Sequence, residues 1–300
     1  MIEEGLVVRT QSGFARVDTP SGSYTCRLRG KLKQHHKISD ILSVGDRVKI
    51  TVITEKEGRI DDVSPRSRVL SRLAPEARGI HEQVLVANPD QVLLVFACAN
   101  PAPHLRMIDR FLIGLEKQEI PARIVVNKID LVERKEIEMI FQLYESLDFP
   151  VDYVSAATGN GIPELRKQLS NKLSVMAGPS GVGKTSLLNA LQPGLGGLVK
   201  EVSRITTKGM HTTQVRELFP LESGGWLADL PGIRSLGLWD IQPEELDGYF
   251  REFKGLVQDC QFNDCTHHNE PGCAIRKAVE DGRIHPGRYD SYIRLRFGEE

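Results

Sequence analysis

Along the first 70 residues, apolar and polar positions alternate with a short period. LVVRT, GFARV, SYTCRL and DRVKITVI are rich in Val, Ile, Thr, Phe and Tyr, and turn-forming residues separate them (Gly13, Pro20-Ser21-Gly22, Gly45-Asp46, Gly58). Short strands at this density predict a small all-β barrel or sandwich. Residues 64–83 carry two prolines and no clear period, and read as a linker. From Gln83 the texture changes. Apolar strand-like runs (VLLVFA, RIVVN, VDYVS, LSVMAG, GWLADL) alternate with amphipathic helical ones (IDRFLIGLEKQ, KEIEMIFQLYESL, ELRKQL, KTSLLNAL). That alternation predicts a doubly wound, mostly parallel sheet. Beyond Asp240 the pattern is helical (PEELDGYFREFKGLV), irregular through a Cys/His cluster, then helical again. Three domains are expected, over 1–70, 71–235 and 236–300.

Composition narrows the function classes. The chain has 300 residues, 40% hydrophobic and 26% charged, which is ordinary globular usage rather than that of a disordered chain. Its longest unbroken apolar run, Val92 to Ala99, has eight residues. A membrane-spanning helix needs about 20, so no membrane span is expected. The N-terminus, MIEEGLVV, bears two acids where a signal peptide carries basic residues. Five cysteines, three of them within Cys260–Cys273, do not resemble a disulfide framework and suggest a reducing, cytoplasmic setting. The net charge is −1, so any nucleic-acid contact must come from a local patch. One candidate exists. Residues 1–70 hold thirteen Lys/Arg against nine Asp/Glu, and Arg27, Arg29, Lys31, Lys33 and Lys37 share one stretch without an acid. That stretch is either a solvated strand and loop or a phosphate-binding face.

The chemistry is most explicit in GPSGVGKTS, which follows the LSVMAG strand. Gly178, Pro179, Ser180, Gly181, Val182, Gly183, Lys184, Thr185 and Ser186 fit G-x-x-x-x-G-K-[ST]. Glycines let successive backbone N–H groups curl around a phosphate, and the following helix points its positive end at the same charge. Lys184 would reach the β- and γ-phosphates, and the Thr185 hydroxyl would ligate Mg²⁺. RIVVNKIDL offers Asn127, Lys128 and Asp130 at a strand end. The Asp130 carboxylate could accept two hydrogen bonds from guanine, a donor pair that adenine lacks. The Lys128 stem could lie over the base, and the Asn127 amide could hold neighbouring loops together. VSAATGNG follows another strand, with Ser155 and with an Ala156 amide that guanine O6 could meet. DLPG ends a further strand; Asp229 suits a water-mediated contact to Mg²⁺ and the Gly232 N–H suits the γ-phosphate. GTP or GDP with Mg²⁺ is the ligand this set predicts. Its order is unusual, because the phosphate loop begins 51 residues after Asn127 rather than before it. A circularly permuted chain can build the same site.

Between the phosphate loop and DLPG, Gly194, Gly196, Gly197 and Gly209 suggest a flexible switch ending in His211-Thr212-Thr213. One threonine should complete the Mg²⁺ shell; Thr213 is preferred and Thr212 stays open. Ile233 stands where many GTPases carry a water-orienting glutamine, which makes His211 the nearest substitute. Further on, Cys260, Cys265, His267 and Cys273 form C-x4-C-x-H-x5-C. Three thiolates and an imidazole make a closed tetrahedral shell, the pattern of structural zinc. His268 next door could replace His267. Cys26 and Cys98 lie in predicted strands and read as small core residues.

The barrel, the permuted order NKID–SAATG–GPSGVGKTS–HTT–DLPG and the Cys₃His cluster together resemble the bacterial ribosome small-subunit-dependent GTPase A (RsgA) family, over essentially the whole chain. The resemblance implies an oligonucleotide-binding (OB) barrel, a permuted GTPase domain and a C-terminal zinc domain. It implies GTP hydrolysis stimulated by the small ribosomal subunit during late maturation, with rRNA contacts, release after hydrolysis and a monomeric protein. Within G-x-H-T-T it assigns His211 as the catalytic histidine, beside Lys184 and Gly232. Two rival readings are a permuted GTPase of large-subunit assembly and an RNA-binding scaffold that uses GTP only as a conformational ligand.

Overall fold

Residues Ile2–Gln11 (β1), Phe14–Thr19 (β2), Gly22–Leu28 (β3), Arg47–Val52 (β4) and Glu57–Val63 (β5) hydrogen-bond in the order β1-β2-β3-β5-β4, and β4 returns to β1. The computed structural model describes residues 1–11, 13–29, 41–73, 82–208, 216–229 and 241–298. His211, Thr212, Thr213, Gly232 and the Lys31, Lys33 and Lys37 part of the basic run lie outside them. The closed five-stranded barrel is OB-like, and its strands alternate as a two-sided strand must. Val7, Val17, Tyr24, Cys26, Val48, Ile50 and Ile60 fill the interior. The sequence pattern missed β5 because EGRIDDV offers only Ile60 and Val63 as apolar positions; pairing with β3 and β4 supplies the rest.

The described ends of the expected linker are strands. Val69–Leu73 (β6) pairs antiparallel with Glu82–Ala87 (β7). Just before β6, Arg66 makes a two-pronged ion pair with the fully buried Asp46 of the barrel, at 2.7 and 2.8 Å. An isolated two-stranded ribbon shows little period in sequence, since neighbouring elements decide which of its sides is buried.

The central sheet contains Gln91–Ala97 (β8), Ala122–Asn127 (β9), Val151–Tyr153 (β10), Leu173–Ala177 (β11), Phe219–Pro220 (β13) and Trp226–Asp229 (β14). Its order is β10-β9-β8-β11-β14-β13, parallel throughout except for the edge pair β13–β14. Both faces of β8 are covered. Val92, Leu94 and Phe96 face one core with Leu105–Lys117 (α1) and Arg134–Glu145 (α2). Leu93, Val95 and Ala97 face the other, with Ile162–Leu169 (α3), Lys184–Leu191 (α4) and Leu195–Lys208 (α5). The chain runs outward from β8 to β9 and β10, then crosses back to β11. The strand order therefore reverses between β8 and β11, where open α/β sheets bind ligands.

Over Leu195–Lys208, helix α5 corrects the expectation of a flexible, glycine-rich segment, whose Gly209 end lies outside the described residues. Gly196 serves close packing: a Cβ there would lie 2.6 Å from the Thr185 carbonyl oxygen, and its N–H donates to Asn189 Oδ1 at 2.9 Å. Leu195 and Val199 then reach the core. Arg216–Glu217 (β12) leaves the central sheet altogether and pairs with β1 of the barrel.

In the C-terminal region, the expected helix over PEELDGYFREFKGLV is instead three short 3₁₀ helices, Pro243–Tyr249, Arg251–Phe253 and Val257–Asp259. Gly255 at φ 81° separates the last two, and Phe250 and Phe253 stack inward at 5.0 Å. Ala274–Glu280 (α6) and Pro286–Phe297 (α7) complete the region. Its core takes in Ile113 from α1. Beside that contact, buried Arg288 donates to Asp109 Oδ1 at 2.7 Å and to Glu252 Oε1 at 2.6 Å. Burial opposes the charge, but Glu252 and Asp109 outweigh it and hold the guanidinium pKa above its ordinary value.

Candidate functional site

The sheet's carboxyl edge gathers the sequence motifs into one place. Gly178–Gly183 connects β11 to α4, and Gly183 turns at φ 91°. A Cβ at Gly183 would lie 2.5 Å from Asn127 Nδ2, so only glycine lets the phosphate loop approach the NKID loop this closely. Asn127 is buried and bridges three segments. Its Nδ2 donates to the Val182 carbonyl at 2.9 Å, and its Oδ1 accepts from the Ala156 N–H at 3.1 Å.

Lys128 occupies the left-handed region at φ 67°. Its ammonium donates to the Gly181 carbonyl at 2.7 Å and also to the Asn100 carbonyl. Asp130 is exposed, and its Oδ1 accepts from the buried Ser155 hydroxyl at 2.5 Å. The Thr158 N–H donates to the same hydroxyl at 3.1 Å, which fixes the Ser155 oxygen. Base-loop and phosphate-loop residues are thus tied by side chains, not merely adjacent.

Lys184 is held inside the phosphate loop, donating to the carbonyls of Gly178 (2.7 Å) and Pro179 (2.8 Å). Burial lowers its pKa, and Asp229 acts in the opposite sense. Asp229, at the end of β14, is pushed up to about 6 by burial, against the opposing pull of Lys184. Its Oδ1 is buried without a hydrogen-bond partner among the described residues. An orphaned carboxylate oxygen in the field of a half-buried ammonium is suited to a cation or an ordered water. Pro179, Ser180, Thr185 and Ser186 ring the loop with partial or full exposure.

The second constellation is separate. One donor atom each from Cys260, Cys265, His267 and Cys273 lies within 4.8 Å of the others. His267 Nδ1 is 3.5 Å from both Cys260 Sγ and Cys273 Sγ. Its Nε2 faces Asp247 Oδ2 at 3.3 Å, the outer carboxylate that commonly orients a ligating imidazole. Burial pushes the Cys265 thiol up to about 12 and raises that of Cys273 as well. Such thiols ionise readily only when a cation takes the charge, so the donor set fits a divalent metal. The neighbouring His268 is exposed, with its ring 5.1 Å from that of Phe297, and is not in the cluster. Cys26 and Cys98 are buried apart from it, as their core reading expects.

Sequence reasoning overlooked the loop after β8. Asn100-Pro101 forms a cis peptide, the Asn100 carbonyl receives Lys128, and the Cys98 thiol donates to the Lys128 carbonyl at 2.8 Å. An Asn-Pro turn at a strand's carboxyl end was the available signal. Asp247 was equally silent, since nothing in sequence ties it to a histidine 20 residues later.

The sequence pattern of the RsgA N-terminal domain matches residues 4–60, and that of the RsgA GTPase matches residues 63–239. The chain belongs to the RsgA GTPase family. A protein of Gemmatimonas aurantiaca named small ribosomal subunit biogenesis GTPase RsgA is 44% identical, over 97% of this chain and 96% of its own. An RsgA of Moorella thermoacetica is 41% identical, over 97% and 95%. The crystal structure of YjeQ from Thermotoga maritima superposes with a TM-score of 0.82 at 36% identity, covering 99% of this chain and 98% of that one. YloQ, described as a circularly permuted GTPase, superposes with a TM-score of 0.76 at 29% identity, covering 99% and 95%. As an RsgA GTPase the chain is a GTP hydrolase, and the permuted motif order is a property of the fold it shares with YloQ. Among its described residues, no helix is long and apolar enough to cross a membrane.

Proposed function

We propose that this GTPase acts in biogenesis of the small ribosomal subunit, as its relatives' names state of them. Binding to the subunit stimulates hydrolysis, and hydrolysis is coupled to release. The observation that carries the nucleotide reading is the Asn127 side chain, which ties the NKID, SAATG and phosphate loops into one cradle. In this reading 1–70 is the RNA-binding barrel, 71–235 the GTPase and 236–300 the metal domain, all in a monomeric cytoplasmic protein.

The residues divide the work. Asp130, oriented by Ser155, accepts from the guanine edge, and the Lys128 stem covers the base. The Ala156 N–H, which now donates to Asn127, is shared with or ceded to guanine O6. Backbone N–H groups of Gly178 to Lys184 and the α4 N-terminus receive the phosphates. The Lys184 ammonium exchanges its loop carbonyls for the β- and γ-phosphate oxygens. Thr185, Thr213 and Asp229 would hold Mg²⁺, which would supply charge neutralisation of the phosphates. The orphaned Asp229 oxygen supports that set. His211 orients the water that attacks the γ-phosphorus, and the Gly232 N–H stabilises the charge that develops there. The Cys₃His shell is suited to zinc, which would fix the C-terminal region without taking part in the reaction.

Cofractionation on a ribosome gradient tests the reading. With a non-hydrolysable GTP analogue, the protein is expected to sediment with small subunits and to leave them when GDP is supplied. Migration with large subunits would overturn the assignment.

A further inference from the structure

The outer face of the barrel and the GTPase segment meet where β12 pairs with β1. The register of β1, β2 and β3 sets Arg9 opposite Arg16, and Phe14 opposite Arg27, all on the side away from the barrel interior. Phe14 is 40% exposed, and the Arg27 guanidinium lies over its ring at 4.4 Å. Arg27 has no carboxylate partner among the described residues. At the β1 end of this strip stands Glu217, which the barrel does not supply. It comes from β12, where Glu217 pairs with Arg9 in the backbone ladder and the Leu218 N–H donates to Val8 O at 2.8 Å.

The Glu217 carboxylate lies 3.5 Å from Arg9 and 3.7 Å from Arg16. Both distances exceed a hydrogen bond, and the arginine side chains are 32% and 41% exposed. The Glu217 carboxylate is itself only 11% exposed, and Asp18 Oδ1 lies 3.8 Å from Arg16. Neither carboxylate comes within hydrogen-bond distance of the arginines, whose side chains stay partly open to solvent. A phosphate oxygen is a stronger partner for two guanidiniums and can take both. An exposed aromatic flanked by arginines is also what a single-stranded nucleic acid needs from an OB-like barrel, one ring for a base and cations for the backbone.

Resting on the reading of the chain as a subunit-stimulated GTPase, we propose that single-stranded RNA lies across the outer face of β1–β3, a base on Phe14, and that its phosphate displaces Glu217 from Arg9 and Arg16. This exchange reports RNA to the GTPase centre. Arg216 directly follows the 209–215 stretch in sequence, and β12 pairs with β1 of the barrel. Loss of the Glu217 contact loosens β12 on β1, so the surface that senses RNA is built partly by a strand of the GTPase segment.

The test uses the full chain and a labelled oligouridylate of about 12 nucleotides, within the usual span of an OB barrel. Phe14→Ala should weaken binding about tenfold and Phe14→Trp should restore it. Glu217→Gln should tighten binding about threefold, because phosphate no longer competes with a carboxylate. The same variant should raise GTP turnover without subunits and reduce the fold-stimulation that subunits give, with GTP affinity unchanged. Oligonucleotide affinity indifferent to Phe14→Ala, or unaltered by Glu217→Gln, would overturn the proposal. Wild-type turnover unmoved by small subunits would instead overturn the underlying functional reading, whatever the oligonucleotide does.

Discussion

In the proposed reading, Asp130 is the residue on which base identity turns. Its carboxylate can serve guanine because the Ser155 hydroxyl fixes one oxygen at 2.5 Å. Asp130→Asn presents a donor where guanine also presents one, and xanthine, with an oxygen there, becomes the better ligand. Competition binding should find the preference for GTP over xanthosine triphosphate reduced by at least about a hundredfold; an undiminished preference would place the base elsewhere. The proposed roles of Lys184 and His211 separate binding from chemistry. Lys184→Ala removes charge-assisted bonds from ground and transition state alike and should weaken GTP roughly 10- to 150-fold. His211→Ala should retain GTP and lose turnover by about a hundredfold or more. Equal losses of affinity in the two variants would contradict that division. At this scale the sequence was most legible, because NKID, GPSGVGKTS and DLPG are stretches whose chemistry demands particular residue types. What stayed hidden was pairing across the fold. That Ala156 already donates to Asn127, and that Lys128 reaches Asn100, depends on loops brought together only by the sheet.

Elements were legible where burial has a period and obscure where it does not. Strand β8 and helix α1 announce themselves by apolar runs, whereas β5 and β6 are read only from their neighbours. Helix α5 reverses the inference from glycine, since Gly196 is there for contact with α4 and not for freedom. Between elements, the buried Arg288–Asp109–Glu252 set joins the C-terminal region to α1, and Tyr144 adds a hydrogen bond to Asp109 at 2.9 Å. Arg288→Met leaves two carboxylates buried without a counter-charge. Denaturation of the C-terminal region, followed by hydrogen exchange, should show a loss of about 3–5 kcal/mol; a loss under about 1 kcal/mol would mean water reaches the set. The proposed metal shell of Cys260, Cys265, His267 and Cys273 ties the same region from the other side. Cys273 caps α6, and the Tyr289 hydroxyl donates to the His267 carbonyl at 2.7 Å. Cys273→Ser should release zinc and expose α6 and α7 to protease while basal GTP turnover survives. Elemental analysis that finds no zinc in native protein would end that account.

Across the whole molecule, permutation has a mechanical consequence. The GTPase site lies between two other modules, and each is built into it: the barrel through β12 on β1, the C-terminal region through α1. Helix α1 begins shortly after Asn100, whose carbonyl holds Lys128, so the region with the Cys₃His cluster leans on the same loop as the proposed base site. The three-part order was readable from texture, and the permutation from motif order. The β12–β1 junction was not, because two residues paired with a distant strand leave no period in sequence. A GTPase fastened at both ends is well placed to respond to a large surface that engages the flanking modules together. The most direct measurement is GTP turnover by the full chain alone, with purified small subunits and with purified large subunits. Small subunits should raise the rate by about tenfold or more, a barrier change of about 1.4 kcal/mol, and large subunits should leave it unchanged. A rate indifferent to small subunits, or raised equally by both, would contradict the account.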